Sequence, residues 1–383
     1  MPSKPQLLKE QDSRQILSSV GRGMVSIYAP MQPSGSGVRQ NRLRWKTIST
    51  ELRLRLEKRE LDSDVSSRIM SHVGALVDER QFWLEQSQGL ACFVTPDECR
   101  CFQLRRRPKQ TLSIDKRFNV RPLLPEINHD FCFYVITNDE ERWRLFQVNG
   151  EDSRELSDEL PQSLSRLMDC RRFEGSRMEG LQDRPASARE QGSGEEPKKG
   201  AFSTELSRFL REHSCPPLFF VGTSDEFKSF AKVTDYENFQ NQRISWDSGS
   251  SSWKRVIREA QFRVEASRQR KIESMLETFN TWQDSDWATG DLAEVYRGAI
   301  TGQIKNLIIA DEFQCFGNCS DEGEPDFANS SKLRRTKQDE DFANLLVSKA
   351  IQNGGTVYSA PLRVMPSQTN AIALFGETDV LSS

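Results

Sequence analysis

The strongest constraint on how this chain folds lies in residues 292–375, where the apolar residues change their spacing in a fixed order. Leu292, Val295, Ala299 and Ile300 form a helical stripe that Gly302 can end, and the fully apolar run Leu307-Ile308-Ile309-Ala310 then has the character of a buried strand. After a polar loop, Phe342, Leu345, Leu346, Lys349 and Ala350 return to helical spacing. Asn353-Gly354-Gly355 stops that helix before Thr356-Val357-Tyr358 and a last strand, Ala371-Ile372-Ala373-Leu374-Phe375. The order is helix, strand, loop, helix, strand, strand, which predicts an α/β domain over residues 281–383.

The 383 residues allow two or three domains of ordinary size. Formal charge is -3 overall but unevenly spread. Residues 1–129 carry 22 Lys+Arg against 14 Asp+Glu, residues 130–280 carry 23 against 27, and residues 281–383 carry 8 against 15. A basic first third suits a polyanion, because each cation near a phosphate releases a counterion. An acidic last third repels RNA and suits a protein partner. Met1 to Gln15 lacks the apolar core of a signal peptide, and no apolar run approaches the ~18 residues of a membrane span. A cytoplasmic protein without membrane contact is expected, with its eight cysteines as thiols. Cys99/Cys101 and Cys315/Cys319 lack the paired spacing of a zinc site, so no metal is expected.

In the first third, Met24 to Tyr28 reads as a strand ended by Pro30, and Gly35 to Gly37 as a hinge into a helix over Val38 to Glu60. Trp45, Ile48, Leu52 and Leu56 form its apolar stripe, and basic residues occupy most of the remaining cylinder. A second helical pattern covers Val65 to Leu84. Gly89 to Val94 and Cys101 to Leu104 form a hairpin, followed by the basic run Arg105-Arg106-Arg107-Pro108-Lys109. Among these cations Arg39, Arg42, Lys46, Arg53, Arg59, Arg105, Arg106 and Arg107 are the candidate RNA-binding residues. In the middle third, Phe131 to Ile136 and Trp143 to Val148 form another hairpin, and Cys170 to Gly200 is a long loop with five glycines and little apolar periodicity. A helix through Phe202 to Leu210, a strand Leu218 to Gly222, a helix Asp225 to Ala231 and a long helix Ser252 to Asn280 complete it.

The phrase "YRGAITGQIKNLIIADE … LLVSKAIQNGGTVYSAPLRVMPSQTNAIALF" resembles the third domain of Pelota and the class-I release factors, and more closely that of their bacterial relatives. "FWLEQSQGLACFVTPDECRCFQL" with "RPLLP" at 121–125 is similar to the first domain of the same bacterial proteins. The hairpin, long loop, helix, strand and helix of the middle third resemble their ribonuclease-H-like domain. The resemblance implies three α/β domains: 1–129, a mixed basic domain; 130–280, a ribonuclease-H-like domain with loop 170–200 and bridging helix 252–280; and 281–383, an acidic release-factor domain-3-like domain. It further implies a ribosome-associated factor of rescue, quality control or hibernation that meets ribosomal RNA through the first domain and a translational GTPase through the third.

Catalysis has little support. Peptide release by class-I factors uses Gly-Gly-Gln, whose glycines reach backbone conformations closed to other residues and whose glutamine addresses the peptidyl-tRNA ester. This chain has no such tripeptide; Gln191, followed by Gly192 and Gly194, is the only stand-in in the loop. His72, His129 and His213 fall in no nucleophile-elbow or zinc-protease motif, and no glycine cluster has the spacing of a phosphate loop, so no cofactor is expected. Peptide release is therefore not expected. Two alternatives stand beside this reading: a peptidyl-tRNA hydrolase or nuclease acting through the middle domain, and an interaction adaptor without RNA contact.

Overall fold

The computed structural model describes residues 5–33, 37–59, 61–139, 142–150, 152–156, 160–164, 195–212, 216–232, 234–245, 253–283, 285–319, 325–326, 340–366 and 369–376. It is a mixed α/β protein with several sheets, and its contacts divide it into two compact units, Met1–His129 with Gln269–Ser383 and Asp130–Arg268.

The first segment begins with β1 (Gln6–Leu7) and α1 (Glu10–Ser18), then β2 (Val20–Pro30), α2 (Gly37–Lys58), α3 (Ser63–Asp78), α4 (Arg80–Leu84), β3 (Gly89–Val94), β4 (Cys99–Leu104), β5 (Thr111–Arg117) and a short α5 (Leu124–Ile127). The five strands form one sheet in the order β1-β4-β3-β2-β5. Both faces are covered, which is why Met24 to Ala29 of β2 and all of β3 are buried without alternation. Val25, Ile27, Leu90, Cys92 and Val94 face α2 and α3, while Met24, Tyr28, Ala91 and Phe93 face the opposite side. The helical pattern predicted over 65–84 is two helices, because Glu79 at ψ 88° leaves the helical region between α3 and α4.

In the middle unit, β6 (Cys132–Asp139), β7 (Arg142–Asn149) and β8 (Asp152–Glu155) form an antiparallel meander. β9 (Leu218–Val221) adds parallel to β6, giving the order β8-β7-β6-β9. The helices α6 (Glu195–Glu212) and α7 (Ser224–Ala231) cover one face, where Phe202, Leu206 and Phe230 meet Tyr134, Ile136 and Phe220. The other face takes α8 (Trp253–Trp282) through Val256, Ile257 and Ala260. Residues 195–200, expected in the long loop, are helical instead. Gln191 and the rest of that loop lie outside the described residues.

The last segment contains β10 (Ala288–Thr289), α9 (Leu292–Thr301), β11 (Ile304–Ala310), the small strands β12 (Phe316–Cys319), β13 (Pro325–Asp326) and β14 (Glu340–Asp341), α10 (Phe342–Gln352), β15 (Thr356–Ala360) and β16 (Ala371–Phe375). The sheet order is β10-β16-β11-β15, with β11 and β15 parallel across the α10 crossover. Gly302 ends α9 at φ 73°, in the left-handed region where a Cβ is strained, and the Asp291 carboxylate caps the other end at Ala293 N and Glu294 N.

The first and last segments share one core and a polar seam. The Asn344 side chain of α10 accepts from Val120 N and donates to Phe118 O, both at 2.8 Å. The Arg121 guanidinium donates to Phe313 O at 2.6 Å, Asp311 O at 2.8 Å and Ala310 O at 2.9 Å, and burial lowers its pKa. Asn128 donates to Val357 O at 2.8 Å and Gln352 to Leu17 O at 2.7 Å. Arg117 meets Glu340 at 2.6 Å; burial nonetheless raises the Glu340 pKa, with Arg117 opposing the shift.

Candidate nucleic-acid interface

Helix α2 holds seven basic and two acidic side chains, and its apolar stripe decides which of them face solvent. Trp45, Ile48, Leu52 and Leu56 are buried against α3, α4 and the sheet. Trp45 donates its indole N–H to Val73 O at 3.0 Å and lies 5.7 Å from the Trp83 ring, whose own indole N–H goes to Leu76 O at 2.8 Å. Buried Asn41 fixes the start of the helix by accepting from Gln32 N at 2.9 Å and donating to Gln32 O at 2.8 Å. With that face seated, Arg39, Lys46 and Arg53 stand exposed seven residues apart. Seven residues are just short of two turns, so the three cations run along nearly one line of the helix, spanning about 21 Å. They make no ion pair or hydrogen bond through their side chains with any described residue.

The other predicted cations are placed differently. Arg42 lies next to that line and pairs with Asp78 at 2.6 Å, an exposed pair of the kind worth little. Arg59 follows the helix, half-buried and partnered. Arg105 is fastened to buried Glu126, which accepts from the Arg105 backbone N–H and from its guanidinium, both at 2.7 Å. Arg106 is exposed and partnered, and exposed Arg107 donates to Met31 O at 3.4 Å. Since Arg44 donates to Pro30 O and Asn41 binds Gln32, the segment Pro30–Gln32 brings Arg107 and the first turns of α2 together. Arg44 and Arg55, also basic residues of α2, are spent on backbone carbonyls, Arg55 on Leu112 O. Which cations would be held this way had no signal in the sequence, because the accepting carbonyls come from β2 and β5.

Other chemistry is sparse. Cys92, Cys99 and Cys101 are free thiols in β3 and β4, with Cys99 and Cys101 sulfurs 3.8 Å apart and Cys92 directly opposite Cys101. Burial pushes the Cys92 and Cys101 thiols up, and the hydrogen bond with Cys101 does the same to Cys99, so none is a ready nucleophile. His72 lies within hydrogen-bond reach of Pro96 O at 3.2 Å, and His129 follows α5 at φ 53°. Among the described residues, no three His, Cys, Asp or Glu side chains gather as metal ligands would, and no helix is long and apolar enough to cross a membrane. The last segment carries an open groove of about 960 Å³ lined by Met275, Trp282, Trp287, Lys305, Leu374 and Phe375, in which Trp282 and Trp287 are 41% and 46% exposed.

No protein-family model and no curated protein matches the chain. Solved structures that it matches include ribosome-bound archaeal Pelota with ABCE1, at 11% identity over 97% of this chain and 95% of that one with a TM-score of 0.39. The archaeal translation termination factor aRF1 matches at 13% identity over 96% and 98% with a TM-score of 0.23. Dom34 of S. cerevisiae, a termination-like factor of RNA quality control that interacts with Hbs1, matches at 11% identity over 75% and 79% with a TM-score of 0.34. These neighbours are thus release-factor-like proteins of the Pelota and aRF1 kind.

Proposed function

We propose that this chain is a release-factor-like protein of the cytosol that binds the ribosome in rescue, quality control or hibernation, meeting ribosomal RNA through α2 and the Arg106–Arg107 loop. The observation that carries the reading is the row Arg39, Lys46, Arg53. These cations are exposed, unclaimed by described side chains or carbonyls, and held in line by a fully buried apolar stripe, which is what a phosphate backbone requires of a docking surface. The helix, strand, helix, strand, strand order of residues 292–375 supports the domain-3-like assignment that the sequence resemblance suggests. In residues 130–268 the antiparallel meander with a parallel fourth strand, further bridged in parallel at Phe239 and Ile244, supports the ribonuclease-H-like one.

On this reading the acidic last segment addresses a protein, a translational GTPase, and the groove beside Trp282 and Trp287 is the surface suited to it. Arg105 serves the fold through Glu126 rather than RNA. The chain acts without releasing peptide, since it lacks Gly-Gly-Gln, and burial holds the thiols of Cys92 and Cys101 above their ordinary pKa. The test is co-sedimentation with purified ribosomes of the full chain and of Arg39→Glu/Lys46→Glu/Arg53→Glu, at matched salt. Wild type is expected in the pellet and the variant in the supernatant; a variant that pellets as wild type does would end the proposal. Peptide released from stalled ribosomes by the wild type but not by Gln191→Ala would favour the hydrolase instead.

A further inference from the structure

The outward side of α8 within residues 130–268 carries a second arrangement that the α2 interface does not use. Val256, Ile257, Ala260 and Val264 seat this part of the helix on the sheet, with Trp253 against the Phe146 ring at 4.6 Å. Helical spacing puts Lys254, Arg255, Arg258 and Phe262 on the other side. Phe262 is 75% exposed, more than any other large apolar side chain among the described residues. The three cations are exposed and make no ion pair or hydrogen bond with any described residue. Arg263, one residue on, shows the contrast: its guanidinium donates to Gln242 O at 2.8 Å, Arg243 O at 3.2 Å and Glu259 at 2.5 Å.

We infer that this side of α8 binds single-stranded RNA, with one unpaired base stacked on Phe262 and the adjoining phosphates on Lys254, Arg255 and Arg258. A lone exposed ring among free cations is the elementary form of a stacking platform: the ring takes the base face, which every nucleotide offers, and the cations take the backbone. Duplex RNA fits poorly, because its bases are stacked on one another and closed to the ring. A membrane or an apolar peptide would need a stripe of apolar residues, whereas the residues three and four positions from Phe262 are Arg258, Glu259, Glu265 and Ala266. The inference does not depend on the ribosome reading, since it concerns a different unit and free RNA.

The test is anisotropy of a fluorescein-labelled single-stranded oligoadenylate, and of the same strand annealed to its complement, with the full chain. The Arg39→Glu/Lys46→Glu/Arg53→Glu background keeps the α2 contact from masking the result. Phe262→Ala is expected to weaken single-strand binding about tenfold and leave duplex binding unchanged, Phe262→Trp to restore it, and Lys254→Glu/Arg258→Glu to weaken both. Since the ring is exposed, each variant should unfold at the wild-type temperature. Single-strand binding unchanged in Phe262→Ala would overturn the inference. So would wild-type affinity in Phe262→Leu, which would make the ring an apolar contact for a peptide or lipid.

Discussion

The α2 face and the seam at residues 117–128 are both rich in guanidinium groups, and they use them oppositely. At the seam, Arg121 points its donors at three carbonyl oxygens of residues 310–313 and Arg117 meets the half-buried Glu340, so these cations close the fold. On α2, Arg39, Lys46 and Arg53 reach no described acceptor and stand in solvent. Net charge does not separate the two regions, since both lie in the basic first third. What separates them is whether a neighbouring segment offers an acceptor: Arg44 and Arg55 of α2 reach carbonyls of β2 and β5, whereas the row Arg39, Lys46, Arg53 meets none among the described residues.

Stability measurements can break this contrast. Trp45→Ala removes the indole that seats α2 and leaves Val73 O without its donor, so a loss of about 3–5 kcal/mol is expected in urea unfolding; a loss below 1 would mean α2 is not seated as described. Asn344→Ala leaves Val120 N and Phe118 O unpaired in the core and should cost about 2–3 kcal/mol. Arg121→Ala should cost about 1.5–3 kcal/mol through its lost charged hydrogen bonds. By contrast, Arg39→Ala and Arg53→Ala should stay within about 0.5 kcal/mol of wild type, and a larger cost would show that the row has structural partners after all.

The smallest effect concerns pH in the middle unit. The hydroxyls of Ser207 and Ser203 donate to the Asp235 carboxylate at 2.7 and 3.0 Å and hold its pKa below the usual carboxylate value. Its contribution is therefore present above the unfolded carboxylate pKa and is lost as pH falls towards the folded one. Ser207→Ala should flatten that acid limb of the stability curve, and an unchanged limb would remove Asp235 from the account.

Much of this was legible from residue spacing. Helix α2, the β3–β4 hairpin and the ordered elements of 292–375 follow from periods that few other structures satisfy, and Gly302 and Gly354 adopt the positive φ that their places after helices suggested. Strand β5 was not legible, because Thr111-Leu-Ser-Ile-Asp-Lys-Arg117 offers only two apolar residues, Leu112 and Ile114, to the α2 side of the sheet. The seam was invisible for a different reason. Asn344 lies in an apolar helical pattern, and its partners are backbone groups more than two hundred residues away, which no local pattern encodes. The same limit hid the fate of Arg105, which reads as part of a basic run until Glu126 is seen to accept from it.

The central claim, that the free row on α2 rather than basic charge in general meets RNA, is tested most directly by the salt dependence of ribosome binding. Plotted as log affinity against log salt concentration, Arg39→Ala/Lys46→Ala/Arg53→Ala should show a slope shallower than wild type by about 2 to 3, while Arg105→Ala, which removes equally basic but engaged charge, should keep the wild-type slope. Equal slopes for wild type and the triple variant, or a loss in Arg105→Ala as large per residue, would contradict the account.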